Sequence, residues 1–111
     1  MPRTWTCPAT IASGGTTSSV VRVHPASGIA LQMPATFTGT AVAVHGCATA
    51  TGTFAAIEDR DGNAVSLAAA AGDRASLTGE ELDAVIQWPY IKLVSNGAEG
   101  AAREIGVVLS L

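Results

Sequence analysis

From Arg103 onward, every second residue is a branched or long aliphatic one: Ile105, Val107, Leu109 and Leu111. A two-residue period puts these side chains on one face of an extended strand, and such a face needs a covering layer. Residues 88–95 read as a second strand, with Tyr90 or Ile91, Leu93 and Val94 apolar and Lys92 facing out. A connector rich in Gly and Ala, residues 96–102, joins the two. The upstream chain has to supply the partner layer.

That upstream chain is a series of short apolar runs divided by turn chemistry. Residues 7–12 can form a first strand, and Ser13-Gly14-Gly15-Thr16 is a turn signal. Residues 17–23 are β-rich, and His24-Pro25 breaks them. Ile29, Leu31 and Met33 alternate inward until Pro34, which cannot donate to a ladder. Val42 and Val44 form the next inward pair. Residues 53–58 and 64–67 flank Asp59-Arg60-Asp61-Gly62-Asn63, where Asp-Gly signals a hairpin. The four alanines at 68–71 favour helix locally, but they follow a strand and precede Gly72-Asp73. The one credible helix lies near 78–86: Thr78 and Glu81 match a capping box, and acids fill its first turn. About eight short strands at this spacing predict an all-β fold, an antiparallel, jelly-roll-like β-sandwich.

A chain of 111 residues is expected to form one domain. Residues 1–6 read as an N-terminal arm and residues 7–111 as the sandwich. Trp5 is the one aromatic in an otherwise polar arm, so it is expected to dock, on its own body or on a neighbour. Arg3 and Trp5 are therefore the candidate partner-interface residues.

Charged residues make up only 14% of the chain, against roughly 25% in an average globular protein. Much of the surface must then be Thr, Ser, Ala and Gly. That suits a low-charge monomer or a subunit covered in an assembly. The net charge is −3 and the six cations are scattered, which gives nucleic-acid binding little support. No apolar run approaches the roughly 18 residues of a membrane span. The stretch Met1-Pro2-Arg3-Thr4-Trp5 has no apolar core of a secretory signal, so none is expected. Cys7 and Cys47 are too few for a disulfide framework and read as two buried free thiols.

Candidate chemistry has a structural explanation at each point. Glu58, Asp59 and Asp61 suggest a calcium loop, but Gly62 falls two positions early and no acid stands at the bidentate position. A hairpin turn accounts for the same residues. His45 and Cys47 share a strand face if the strand continues, yet no orienting acid is near them in sequence. Ser13-Gly14-Gly15-Thr16 lacks the lysine of a phosphate loop. Glu80, Glu81 and Asp83 read as a solvated helix start. Trp88 and Tyr90, with Glu99, are the only pattern that suits a sugar-binding platform. No catalytic, metal or cofactor residues are expected.

Four pieces of the chain carry a family likeness: residues 28–34 (GIALQMP), Phe54 leading into 61–67 (DGNAVSL), 88–95 (WPYIKLVS) and 101–109 (AAREIGVVL). In this order and spacing, the chain is similar to small virion proteins encoded among the head genes of tailed bacteriophages and gene transfer agents. His45-Gly46-Cys47 departs from the family, which is more polar there. The resemblance implies a non-enzymatic β-sandwich that binds the major capsid protein on the outer shell as a decoration or cement protein. It further implies self-association, often as a trimer, and residence in the virion after synthesis in the host bacterial cytoplasm. The alternative reading is a neck, tail or baseplate component, or a host-surface (glycan) binding module. Avidity from repeated weak contacts would suit a shell-binding oligomer.

Overall fold

The computed structural model describes residues 3–111. Nine strands and one helix follow in the order β1 (Thr4–Ile11), β2 (Val21–Arg22), β3 (Gly28–Gln32), β4 (Ala41–Cys47), β5 (Ala55–Ala56), β6 (Ser66–Ala68), β7 (Arg74–Ser76), α1 (Gly79–Ile86), β8 (Tyr90–Ser95) and β9 (Arg103–Ser110). The strands form two antiparallel sheets. One has the order β1-β9-β3-β7. In the other, β2-β8-β4 ends in a shared edge, with β5 and β6 pairing different ends of β4. The all-β sandwich expected from the alternation is the fold observed.

The two-residue period decides which side chains fill the space between the sheets. Ile29 and Leu31 of β3 and Ile105, Val107 and Leu109 of β9 face inward from the first sheet. Val42 and Val44 of β4 and Ile91 and Leu93 of β8 face them from the second. All belong to one continuous core. Burying each such side chain stabilises the fold by about 2 kcal/mol.

Several expectations are corrected. The first strand begins at Thr4, so residues 4–6 belong to β1; Met1 and Pro2 lie outside the described residues. The strand expected from Trp88 begins at Tyr90. Leu111 falls beyond β9 and is 53% exposed rather than sharing its inward face. The β-rich run 17–23 yields only the two residues of β2, because Thr17 and Ser18 make isolated bridges to Val94 and Ile11 instead. The alanines at 70–71 turn rather than coil into a helix: Asp73 Oδ2 accepts from the Ala70 N–H at 2.8 Å.

The helix forms as expected but without its capping box. The Thr78 side chain makes no cap hydrogen bond. The cause is Gly79, whose φ of +59° swings the chain into the left-handed region at the helix start. This directs the backbone away from the geometry a capping hydroxyl requires. Val85 is fully buried and fastens α1 to the sandwich, while Leu82, Ala84 and Ile86 pack against the core. The helix thereby carries the chain from β7 in one sheet to β8 in the other.

Candidate functional site

The outer side of the β1-β9-β3-β7 sheet carries two rows of small, uncharged residues at one end, with Arg74 and Glu104 farther along. Thr4, Ser110 and Gly28 stand side by side in the register. Thr6, Val108, Ala30 and Ser76 form the next row. Pro8, Gly106 and Gln32 form the third, where Arg74 lies beside Gln32. The first two rows contain no charge. Glu104, opposite Thr10, sits at the far end. The first two rows line an open depression of about 250 Å³, and side chains this short lose little entropy when another surface covers them. Pro8 removes a ladder donor from β1, the edge strand of this sheet.

Arg3 and Trp5 flank the start of this edge. Trp5 pairs with Leu109 and lies half-buried, packed against the protein's own core. Arg3 is exposed, and its backbone carbonyl accepts from the Leu111 N–H at 3.0 Å.

The opposite outer face is chemically different. His45 and Cys47 do share it, as the i, i+2 spacing requires; His45 is paired with Lys92 and Cys47 with Tyr90. Lys92 Nζ stands 4.7 Å from the Phe54 ring centroid, a cation–π contact. No hydrogen bond joins His45 to Cys47 among the described residues. The Cys47 thiol instead lies 3.8 Å from Thr49 Oγ1. The Thr49 backbone N–H is the main cause of a lowered Cys47 pKa; partial burial opposes it, and the Thr49 hydroxyl and the Ala48 and Gly52 amides reinforce it. Both cysteines are free and each is half-buried, on different sheets, rather than fully buried as expected.

Sequence reasoning placed Glu99 only beside a sugar platform and missed its role as a buried, hydrogen-bonded carboxylate. It is 1% exposed. Its carboxylate accepts from the Thr38 N–H at 2.9 Å, the Gly39 N–H at 3.2 Å and Arg103 Nε at 3.2 Å. Its backbone holds the first turn, with Gly14 N–H donating to Glu99 O at 2.6 Å and Glu99 N–H donating to Gly15 O at 3.0 Å. Burial raises the Glu99 pKa, but the Thr38 amide, Arg103 and the Gly39 amide outweigh it and leave the group more acidic than usual. Glu99 is therefore a staple joining three loops and is not available to a sugar beside Trp88 and Tyr90. The only local signal is its spacing: an acid between Gly97 and Gly100, four residues before an arginine.

Trp88 and Tyr90 do not form a platform either. Tyr90 lies on the outer side of β8, beside Cys47 and Arg22. Trp88 precedes the strand and seats its indole over Gly46, where a Cβ would lie 3.0 Å from Trp88 Cγ and 2.8 Å from Ile57 Cδ1. A side chain at position 46 would push both away. Trp88 remains 41% exposed and lines a cleft of about 550 Å³ with Glu58, Asp59 and Arg60 from the hairpin and Glu80 and Asp83 from α1. The hairpin is the one expected: Asp59 Oδ1 accepts from the Asp61 and Asn63 amides at 2.9 and 3.0 Å. Carboxylate oxygens of Asp59, Asp61 and Glu80 lie within 4.8 Å of one another. Hydrogen bonding within the turn explains the position of Asp59 without an ion.

These features define a class: an antiparallel two-sheet sandwich with a short helix crossing between the sheets and two uncharged rows on one outer face. The same fold occurs in the SPBc2 prophage-derived protein YomS, whose crystal structure matches with a TM-score of 0.65 over 100% of this chain and 96% of that one at 7% identity. A structure of Bacillus endospore appendages, described as disulfide-linked pili, matches less well, with a TM-score of 0.44 at 13% identity over 99% of this chain and 85% of that one. No family model and no curated protein matches the sequence. No helix among the described residues is long and apolar enough to cross a membrane.

Proposed function

We propose that this protein is a structural component of a bacteriophage virion, a decoration or cement protein that binds the outer capsid surface. The observation that carries the reading is the uncharged face of β1, β9, β3 and β7. Its first two rows offer Thr, Ser, Ala, Gly and Val around an open depression of about 250 Å³, so a shell surface can cover them without burying an unpaired charge. The major capsid protein is the partner. The full-length fold likeness to a prophage-derived protein and the sequence resemblance across residues 28–109 support the same setting.

In this reading the β1 edge, with Arg3 and Trp5 at its start, meets a neighbouring copy in a symmetric oligomer. Trp5 also packs on its own core, so truncating it would mix two effects. Reversing the exposed Arg3 to Glu is the cleaner probe of that contact.

The test is the copy number of this chain in purified particles, by quantitative mass spectrometry against the major capsid protein. A ratio near one copy per capsid subunit, or one per fixed group of subunits, is expected. A few copies per particle would remove the shell reading and place the chain at a neck, tail or baseplate.

A further inference from the structure

The cleft between the 57–65 hairpin and α1 shares no residue with the uncharged face and plays no part in the proposed function. Four carboxylates line it, those of Glu58, Asp59, Glu80 and Asp83, against one guanidinium, Arg60. Arg60 Nε lies 3.5 Å from Glu80 Oε1, with side chains 69% and 56% exposed, so this pair is loose and solvent-screened. Glu58, Asp59 and Asp83 keep their charge uncompensated. Both oxygens of the Asp59 carboxylate are not equally engaged: its two turn hydrogen bonds fall on Oδ1. Beside this negative field lies the indole of Trp88, the most exposed aromatic surface of the described chain.

The acids alone would attract any cation, and the indole alone would attract any apolar group. Together they select a ligand with an apolar stem and a positive head. A negative field focused in a cleft repels anions. A neutral ligand gains nothing from the excess charge. A hydrated inorganic cation has no apolar stem to lay against the indole. A lysine or arginine side chain satisfies both, with its methylenes on the ring and its charge over the π face and among the carboxylates. A single such contact in water is weak, so the side chain must be carried by a larger partner whose other contacts share the work. We propose that this cleft receives a lysine or arginine side chain from a basic segment of a partner protein.

The test is fluorescence titration of the full chain carrying Trp5→Phe, which leaves Trp88 as the sole indole, with an end-blocked tetra-arginine peptide. A saturable change in Trp88 emission is expected at low salt, weakening at least fivefold between 20 and 200 mM salt as screening sets in. The double variant Glu58→Gln, Asp83→Asn changes two exposed side chains isosterically and is expected to weaken binding at least fivefold with an unchanged thermal midpoint. Absence of a saturable change, unaltered binding by the double variant, or an equal and salt-independent response to a neutral oligosaccharide would each overturn the proposal.

Discussion

At the scale of single residues, two positions hold more of the structure than their neighbours. Glu99 has three amide or guanidinium donors converging on a carboxylate with almost no contact with water. Glu99→Gln would put an NH2 group against either the Gly39 N–H or the Thr38 N–H and Arg103, and would leave Arg103 beside a neutral group. The expected loss is about 3 kcal/mol, read from denaturant unfolding at neutral pH. The native pKa of Glu99 lies below its unfolded value, so its stabilisation is fully present above the ordinary carboxylate range and fades as pH falls through the native value. The wild-type protein is therefore expected to lose stability in acid along a curve that the glutamine variant flattens. Gly46 is the second position. Gly46→Ala would push a methyl group against Ile57 and Trp88, costing about 1–3 kcal/mol and changing Trp88 fluorescence in the folded protein.

At the scale of elements, the strands with clean alternation were legible because a buried face writes itself into every second residue. β3, β4 and β9 were readable for that reason. β2 and β5 fall inside runs read as strand, 17–23 and 53–58, but only two residues of each pair as strand; the shortening was not legible, because it depends on which residues β8 and β4 reach. The hairpin at Asp59 was legible because its chemistry is local. The staple and the cleft were hidden for the opposite reason. Glu99 meets residues about 60 positions away, and the cleft joins a hairpin to a helix some 20 residues later. The helix itself was legible, but its capping was misread because Gly79 takes a positive φ that only the folded chain reveals. Gly79→Ala tests this directly. Nothing lies within 4 Å of the added Cβ, so the expected loss of about 1 kcal/mol is backbone strain alone and would appear as a lowered thermal midpoint.

At the scale of the molecule, the two outer faces divide the surface by chemistry. One presents two uncharged rows, with Arg74 and Glu104 only beyond them, while the other carries Arg22, Lys92 and His45 around Tyr90. Val108 lies near the middle of the uncharged face and is only partly exposed. Val108→Arg is expected to leave the fold within about 1 kcal/mol of wild type, since the arginine head can reach solvent. Occupancy on particles should fall more than tenfold, as measured by co-sedimentation with shells lacking the protein. Equal loss after Lys92→Glu on the opposite face would instead assign binding there.

The position of β9 has a consequence for how the chain is made. β9 is synthesised after the eight other strands described, yet it lies between β1 and β3, both completed much earlier. While a ribosome is still extending the chain, β4 can already pair with β6 and then β8, but β1 has no strand to join. Its threonine-rich length, interrupted by Pro8, must wait in solution without attracting other nascent chains. The first sheet is thus closed late, when one segment slots between two strands made well before it.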